Sequence, residues 1–402
     1  MNTPSEQELK EFRTEFSNWL EENKPEKPDF ILPETFMEVG MDEQFHFLRD
    51  WQRKVYEAGY LGMAWPKEYG GGGVHQAFQD VVTSEMTRQQ TPFMMNTIGL
   101  NWAGPLILHS GSEEQKKKHI QGILSTDDIW CQGFSEPNHG SDLGNAQTKA
   151  VRDGDDYVVN GSKIWTSIGA YAKYIILLAR TKQDTPNKYD GLSFFLAPMD
   201  IPGVSVSPIK KLTGEHGFTQ TFFDDAHIPA SCMIGQEGEG WKMAMITLTF
   251  ERGVTGGQAG GHSSMEVKAS EVVDLARNVM REGRPALESE YVRDGLVQLL
   301  MDEHSMKLNR AQARIPALQS EWPNSIAMSG KLMGTEFRRR MGQFALSMQG
   351  ANAAYYFGEQ NVEGNGAWQR TYFNAFSGTI GGGTSQVQKN ILGERVLGLP
   401  KS

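Results

Sequence analysis

The hydrophobic period changes twice along these 402 residues, and that double switch restricts the chain to a few layered architectures. In "SEQELKEFRTEFSNWLEEN", Leu9, Phe12, Phe16 and Leu20 recur at helical spacing, and Ser5 followed by Glu8 has the pattern of a capping box. "QFHFLRDWQRKVYEAGY" repeats the helical period. The Pro-rich "KPEKPDFILPE" between them reads as irregular, and "GYLGMAWPKEYGGGG" reads as a loop that places Trp65 and Pro66. From about residue 128 to 235 the runs become short and apolar or alternating: "YIILLART", "GLSFFLAPM", "VSVSPIK" and "TQTFFDDAHIP", divided by Gly, Pro and Asp. Within this stretch "DGDDYVVNGSKIWTS" reads as two strands meeting in a hairpin at Asn160-Gly161, since both turn positions favour φ > 0. After Gly240 long helical patterns return, joined by "REGRPALE" and "RIPALQSEWP". The expected fold class is therefore α+β, with an all-α domain over 1–127, a β domain over 128–238 and an α-helical bundle over 239–402.

Composition removes several function classes. A net charge of -10 disfavours nucleic acid as a partner, because phosphate binding needs basic surface. No apolar stretch approaches the ~18 residues of a membrane span. The two cysteines, Cys131 and Cys232, lie in no CxxC or Cys/His cluster, and no HExxH occurs, so neither a disulfide framework nor a metal site is expected. The amino terminus shows no apolar targeting segment, and a cytoplasmic location is the expectation.

Three segments carry chemistry. "WCQGFSEPNHGSDLGNAQTKA" puts Ser135, Ser141, a Pro turn and two glycines into one loop beside a strand. "NGSKIWTSIGAYA" sets Trp165 beside Thr166 and Ser167, a combination suited to a flat polar ring. "GTIGGGTSQVQKNI" leads a glycine run into a helix, leaving backbone amides free to face an anion. Neither this run nor "GQEGEG" contains the lysine of a nucleotide-triphosphate loop.

Taken in order, "FSEPNHGSD", "NGSKIWTS", "FDDAHIP", "FERG" and "GGGTSQVQKNILGERVLGLP" make the chain resemble the acyl-CoA dehydrogenase family over nearly its whole length. The resemblance implies an N-terminal α-helical domain, a central β-barrel-like domain and a C-terminal four-helix bundle, with one FAD per subunit. It places Phe134 and Ser135 against the flavin, Ser141 at both cofactor and thioester, Trp165, Thr166 and Ser167 on the isoalloxazine, and Thr384 and Gln386 at the ribityl and pyrophosphate portion. Asn138-His139 replace the family's usual small pair in the first loop.

The reaction implied is α,β-dehydrogenation of an acyl-CoA thioester to a trans-2-enoyl-CoA, with flavin N5 accepting the β hydrogen as hydride and electrons passing to an electron-transfer flavoprotein. Many members carry the α-proton base as a Glu just before "GTSQ"; here that position is Gly382, which keeps only a backbone N–H to offer the thioester oxygen. Another branch carries the base on a helix, at the position of Glu251 in "LTFERG", followed by the ligand-associated Arg252. Beyond it "GVTGGQAGG" is expected to kink or unwind its helix and admit a bulky branched, aromatic or steroid-derived acyl group.

The chain departs from the family where the neighbouring subunit's FAD is gripped. Arg281 fits, Arg284 replaces a Phe, the following Gln is absent, and Gln349 and Gly350 are the best matches to the pyrophosphate cradle. A homotetramer or a heteromer with a homologous subunit is implied. An acyl-CoA oxidase, or a flavin-poor structural subunit of a heteromeric dehydrogenase, are the alternatives.

Overall fold

The computed structural model describes residues 3–251, 268–313, 315, 325–359 and 362–400. Arg252 and the "GVTGGQAGG" segment lie outside the described residues. The chain divides into two compact units, Met1–Met265 and Glu266–Ser402.

The first unit begins with helices α1 (Glu6–Asn23), α2 (Asp42–Glu57), α3 (Gln76–Arg88), α4 (Gly104–Ser110) and α5 (Glu113–Ser125). The capping box at Ser5 forms as expected: the Ser5 hydroxyl accepts from the Glu8 amide at 3.2 Å and the Glu8 carboxylate accepts from the Ser5 amide at 2.7 Å. Trp65 is buried, with its ring tip against Gly104, where an added Cβ would lie 2.3 Å away.

Seven strands follow in one sheet: β1 (Trp130–Gly133), β2 (Lys149–Asp153), β3 (Asp156–Ser167), β4 (Tyr174–Arg180), β5 (Leu192–Pro198), β6 (Val204–Ile209) and β7 (Phe218–Pro229). The order is β1-β4-β2-β3-β7-β6, with β5 also on β4. β1 and β4 run parallel, while β3 pairs antiparallel with β2 and β7. "YIILLAR" reads as a continuous apolar run because both of its faces are buried. Ile175, Leu177 and Ala179 enter one core with Phe195 and Phe223, whereas Ile176 and Leu178 enter a second core shared with the N-terminal helices. That second core also takes Met243 and Ala244 of helix α6 (Gly240–Glu251), which closes the unit.

The hairpin expected at Asn160-Gly161 is absent. β3 runs unbroken through both residues, and the reversal lies at Gly154 (φ 57°), between β2 and β3. Gly161 instead occupies an irregularity in the β3–β7 ladder, at φ 141°. There the Asn160 amide donates to the Asp225 carboxylate at 2.9 Å and its carbonyl accepts the Asp225 N–H at 3.0 Å. A Cβ at Gly161 would lie 2.8 Å from Thr148 Cα, so the glycine serves close backbone approach and not chain reversal.

The second unit is helical: α7 (Ala269–Asn278), α8 (Glu290–Gln312), α9 (Ser325–Gln349), α10 (Ala367–Ile380) and α11 (Ser385–Ile391). Phe337, Met341, Ala345 and Met348 form the buried stripe of α9, meeting Val272, Leu275, Leu296, Leu299 and Trp368. The "REGRPALE" connection contains a two-stranded ribbon, β8 (Met280–Arg281) and β9 (Arg284–Pro285), turning through Glu282 and Gly283 at positive φ. Among the described residues no helix is long and apolar enough to cross a membrane.

One buried titratable group makes stability depend on pH. His119, on α5, stands edge-on to Trp130 and Tyr174 and is 2% exposed. Burial, reinforced by Lys118 and Lys173, lowers its pKa to about 3 from the usual 6.5. The folded protein keeps this ring neutral while the unfolded chain protonates it, so stability falls as pH drops from 6.5 towards 3. Between pH 7 and pH 5, wild type is expected to lose about 2 kcal/mol more than His119→Phe, measured by urea unfolding at both pH values.

Candidate active site

In the first unit the expected cofactor residues converge at the ends of β1 and β3. Phe134, just past β1, is buried edge-on against Phe194 with ring centroids 5.6 Å apart. Ser135 is half-buried, and its carbonyl accepts the Ile164 N–H at 2.9 Å. The loop is fixed from beneath by a pair that sequence reasoning missed. Lys163, fully buried, donates to the Glu136 carboxylate at 2.8 Å and to the Phe134 carbonyl at 3.1 Å. Glu136 also accepts the amides of Gln147 at 2.6 Å and Thr148 at 2.8 Å.

Burial alone would raise the Glu136 pKa, but the Lys163 charge and these donors outweigh it and hold the carboxyl below its usual range. For Lys163 burial is the larger influence and pulls its pKa below the usual value. The pair is kept charged by geometry that satisfies both partners, the condition under which a buried ion pair is tolerated. A sequence signal existed: the strand period that buries Tyr157 and Val159 also places Lys163 inward, where it must find a partner.

At the end of β3 the ladder to β7 is irregular between Lys163 and Thr166, and Trp165 sits at φ 62°. A bulky side chain in this left-handed region costs on the order of 1–3 kcal/mol and persists only where the surroundings impose it. The irregularity leaves Trp165 54% exposed, edge-on to Phe218 at 5.8 Å. Thr166 and Ser167 are buried beside it; the Thr166 carbonyl accepts from the Thr219 hydroxyl and its own hydroxyl from Thr221, each at 3.2 Å.

Ser141 lies exposed further along the loop. Asn138-His139 are accommodated in a tight turn closed by reciprocal backbone bonds between Glu136 and His139, at 3.2 and 3.0 Å. Buried Arg180 holds the loop's far end through the carbonyls of Gly144 and Ala146, both at 2.9 Å. Glu251 is the last residue of α6, one turn beyond buried Thr247.

In the second unit Gly382 (φ 63°) and Gly383 (φ 89°) form the left-handed turn that only glycine adopts without strain, and Thr384 caps α11 by accepting the Val387 amide at 3.1 Å. Gln386 is exposed on α11. Gln349 is buried at the end of α9, accepting from Gln369 at 3.2 Å while its own amide nitrogen has no partner; Gly350 follows at φ 59°. Arg281 and Arg284 face each other across the β8–β9 ribbon, both exposed. A cleft of about 650 Å³ in the first unit, lined by Ser110, Gln115, Lys118, His119 and Cys232 among others, contains none of the expected site residues.

Family models for the acyl-CoA dehydrogenase N-terminal, middle and C-terminal domains match residues 7–127, 131–226 and 238–397. Acyl-CoA dehydrogenase IpdE1 of Mycolicibacterium smegmatis is 36% identical over 406 residues, covering 98% of each chain. The chain belongs to the acyl-CoA dehydrogenase family. Among solved structures, a chain of the Tcur3481-Tcur3483 steroid ACAD is 30% identical with a TM-score of 0.78, covering 100% of both chains. A chain of the ChsE4-ChsE5 complex from Mycobacterium tuberculosis is 27% identical with a TM-score of 0.76, again over 100% of both. The family, the α+β class and the enzyme class expected from the sequence are those found, and as an acyl-CoA dehydrogenase the chain is an oxidoreductase. Members of this family are FAD-dependent flavoproteins.

The residues present fit such a group. A half-exposed indole next to hydroxyls suits a planar polar ring system. Among the described residues, the buried side-chain amide nitrogen of Gln132, on β1, has no hydrogen-bond partner, and in the second unit the same holds for Gln349, on α9.

Proposed function

We propose that this chain catalyses FAD-dependent α,β-dehydrogenation of an acyl-CoA thioester to a trans-2-enoyl-CoA. The observation that carries the reading is Trp165: a largely exposed indole held at φ 62°, followed by buried Thr166 and Ser167 and preceded by Ile164, whose N–H donates to the Ser135 carbonyl, at the position where the family stacks an aromatic ring on the cofactor. Backbone strain at a largely exposed tryptophan supports a functional role, because strain of this kind clusters at active sites and ligand clamps.

Phe134, Ser135, Trp165, Thr166 and Ser167 would hold the isoalloxazine. Gln349, Gly350, Thr384 and Gln386, with Arg281, would hold the rest of FAD. When bound, the cofactor supplies the hydride acceptor for the β carbon. Glu251 removes the α proton, a task that needs a carboxylate because the thioester α position is only weakly acidic. The Gly382 N–H donates to the thioester oxygen, where enolate charge develops, and Ser141 and Arg252 help to bind the thioester. Gly382 itself carries no group that can take a proton.

The relatives support two finer points. The steroid ACAD points to a bulky, ring-bearing acyl group, and that protein and the ChsE4-ChsE5 complex each pair two named chains, which favours a heteromer with a homologous subunit. The exposed Arg281–Arg284 ribbon, which departs from the family's adenine grip, is consistent with such a pairing. An electron-transfer flavoprotein is the proposed oxidant of the reduced enzyme.

The test is an anaerobic visible spectrum recorded while straight-chain, branched and steroid-side-chain thioesters are added in turn. Bleaching of an oxidised-flavin band supports the reading and identifies the acyl class. Bleaching by straight chains alone rejects the bulky substrate. A colourless protein, bleaching only after co-expression with a homologous subunit, makes this chain the flavin-poor partner.

A further inference from the structure

The glycine turn before α11 is gripped from several sides by long polar side chains. Lys331, half-buried on α9, donates its ammonium to the Gly383 carbonyl at 2.5 Å. Gln388, buried on α11, donates to the Gly382 carbonyl at 2.9 Å. The hydroxyl of buried Ser385 donates to Glu336, also on α9, at 2.6 Å. Glu336 is anchored in turn by the Arg339 guanidinium at 3.1 and 3.3 Å. The Ser385 bond is the main reason its carboxyl stays below the usual range, and Arg339 adds to it.

These contacts determine where the loop's donors face. A trans peptide is planar, with its N–H opposite its C=O. Capturing the carbonyls of Gly382 and Gly383 therefore turns the N–H groups of Gly383 and Thr384 to the other side. Turned this way, those amides are placed to serve a group outside the loop. The two glycine φ values, 63° and 89°, leave the turn many alternatives when unrestrained, so the side-chain grip selects one of them.

We propose that Lys331 and Glu336 are positioning residues: they set the backbone amides of Gly383 and Thr384 for binding a thioester carbonyl or cofactor oxygen. The inference rests on the dehydrogenase reading of the same loop. Neither side chain touches the reacting atoms in this role. Lys331 acts through the Gly383 carbonyl and Glu336 through the Ser385 hydroxyl.

Lys331→Ala, Lys331→Arg, Glu336→Ala and Glu336→Gln are compared with wild type by anaerobic flavin reduction and by calorimetric binding of a non-reducible 3-thia-acyl-CoA, with thermal midpoints recorded alongside. Displacing a donor by about 1 Å costs on the order of 10²-fold. Lys331→Ala is expected to slow reduction about 10- to 100-fold and to weaken 3-thia-acyl-CoA binding several-fold, while Lys331→Arg restores most of both. Glu336→Gln, which still offers an oxygen to Ser385, is expected to lose less than Glu336→Ala. Alanine variants within twofold of wild type in rate and binding overturn the proposal, as does a loss that tracks the thermal midpoint and is not rescued by Arg or Gln. If wild type is not reduced by any thioester the dehydrogenase reading falls, and the proposal is then judged on 3-thia-acyl-CoA binding alone; absence of that binding overturns it too.

Discussion

Glu251→Gln is expected to slow thioester-dependent flavin bleaching ~10²–10⁴-fold, the usual worth of a positioned general base, while leaving flavin content and thioester binding near wild type. Glutamine keeps the shape and polarity of glutamate and loses only the ability to accept the α proton. A fall in kcat at nearly constant KM therefore distinguishes loss of a base from damage to the site. The choice of Glu251 follows from what stands elsewhere. Gly382 occupies the position where other members place a glutamate, and its φ of 63° suits glycine, whereas a side chain there would cost on the order of 1–2 kcal/mol. Glu251 closes a helix whose sequence, "GWKMAMITLTFE", is apolar almost throughout, with Met243, Ala244, Thr247 and Phe250 buried. Stopped-flow reduction of Glu251→Gln at more than about a tenth of the wild-type rate would remove Glu251 from the mechanism.

Lys163→Met is expected to destabilise the protein by roughly 3–5 kcal/mol, because it leaves the buried Glu136 carboxylate without its counter-charge. The same change releases the Phe134 carbonyl, so flavin occupancy should fall even under conditions where the fold survives. Pairing it with Glu136→Gln removes the orphaned charge, and the double variant should be less destabilised than the sum of the two singles by about 1–3 kcal/mol. Denaturant titration of the four proteins, with flavin absorbance read on the same samples, separates the stability effect from the effect on the loop. Additive losses would mean that the pair is not coupled and that Lys163 acts by packing its stem alone.

Local features were legible because the residues concerned are close in sequence. Ser5 and Glu8 cap a helix three residues apart, and Thr384 caps α11 from the position next to its first residue. The hairpin reading at Asn160-Gly161 failed because a turn-forming dipeptide is also what a close strand crossing requires. Asp225, 65 residues away, decided between the two by bonding Asn160 on both sides. Lys163 was overlooked because a lone lysine in a strand is ordinarily a solvated side chain. Lys331 and Glu336 left no signal, since their partners are backbone or hydroxyl groups 52 and 49 residues distant.

The sequence by itself determined the succession of helical, strand and helical periods, the order of the family's motifs, and the presence of glycine at position 382 and glutamate at position 251. Local spacing and side-chain type suffice for these. Only the tertiary structure decided that Trp165 is held at positive φ with its ring exposed, that Lys163 and Glu136 neutralise each other beneath the Phe134–Ser135 loop, and that the carbonyls of the glycine turn are drawn inward. Each of these depends on burial and on hydrogen bonds between groups distant along the chain, whose energies exist only once the chain has excluded water around them.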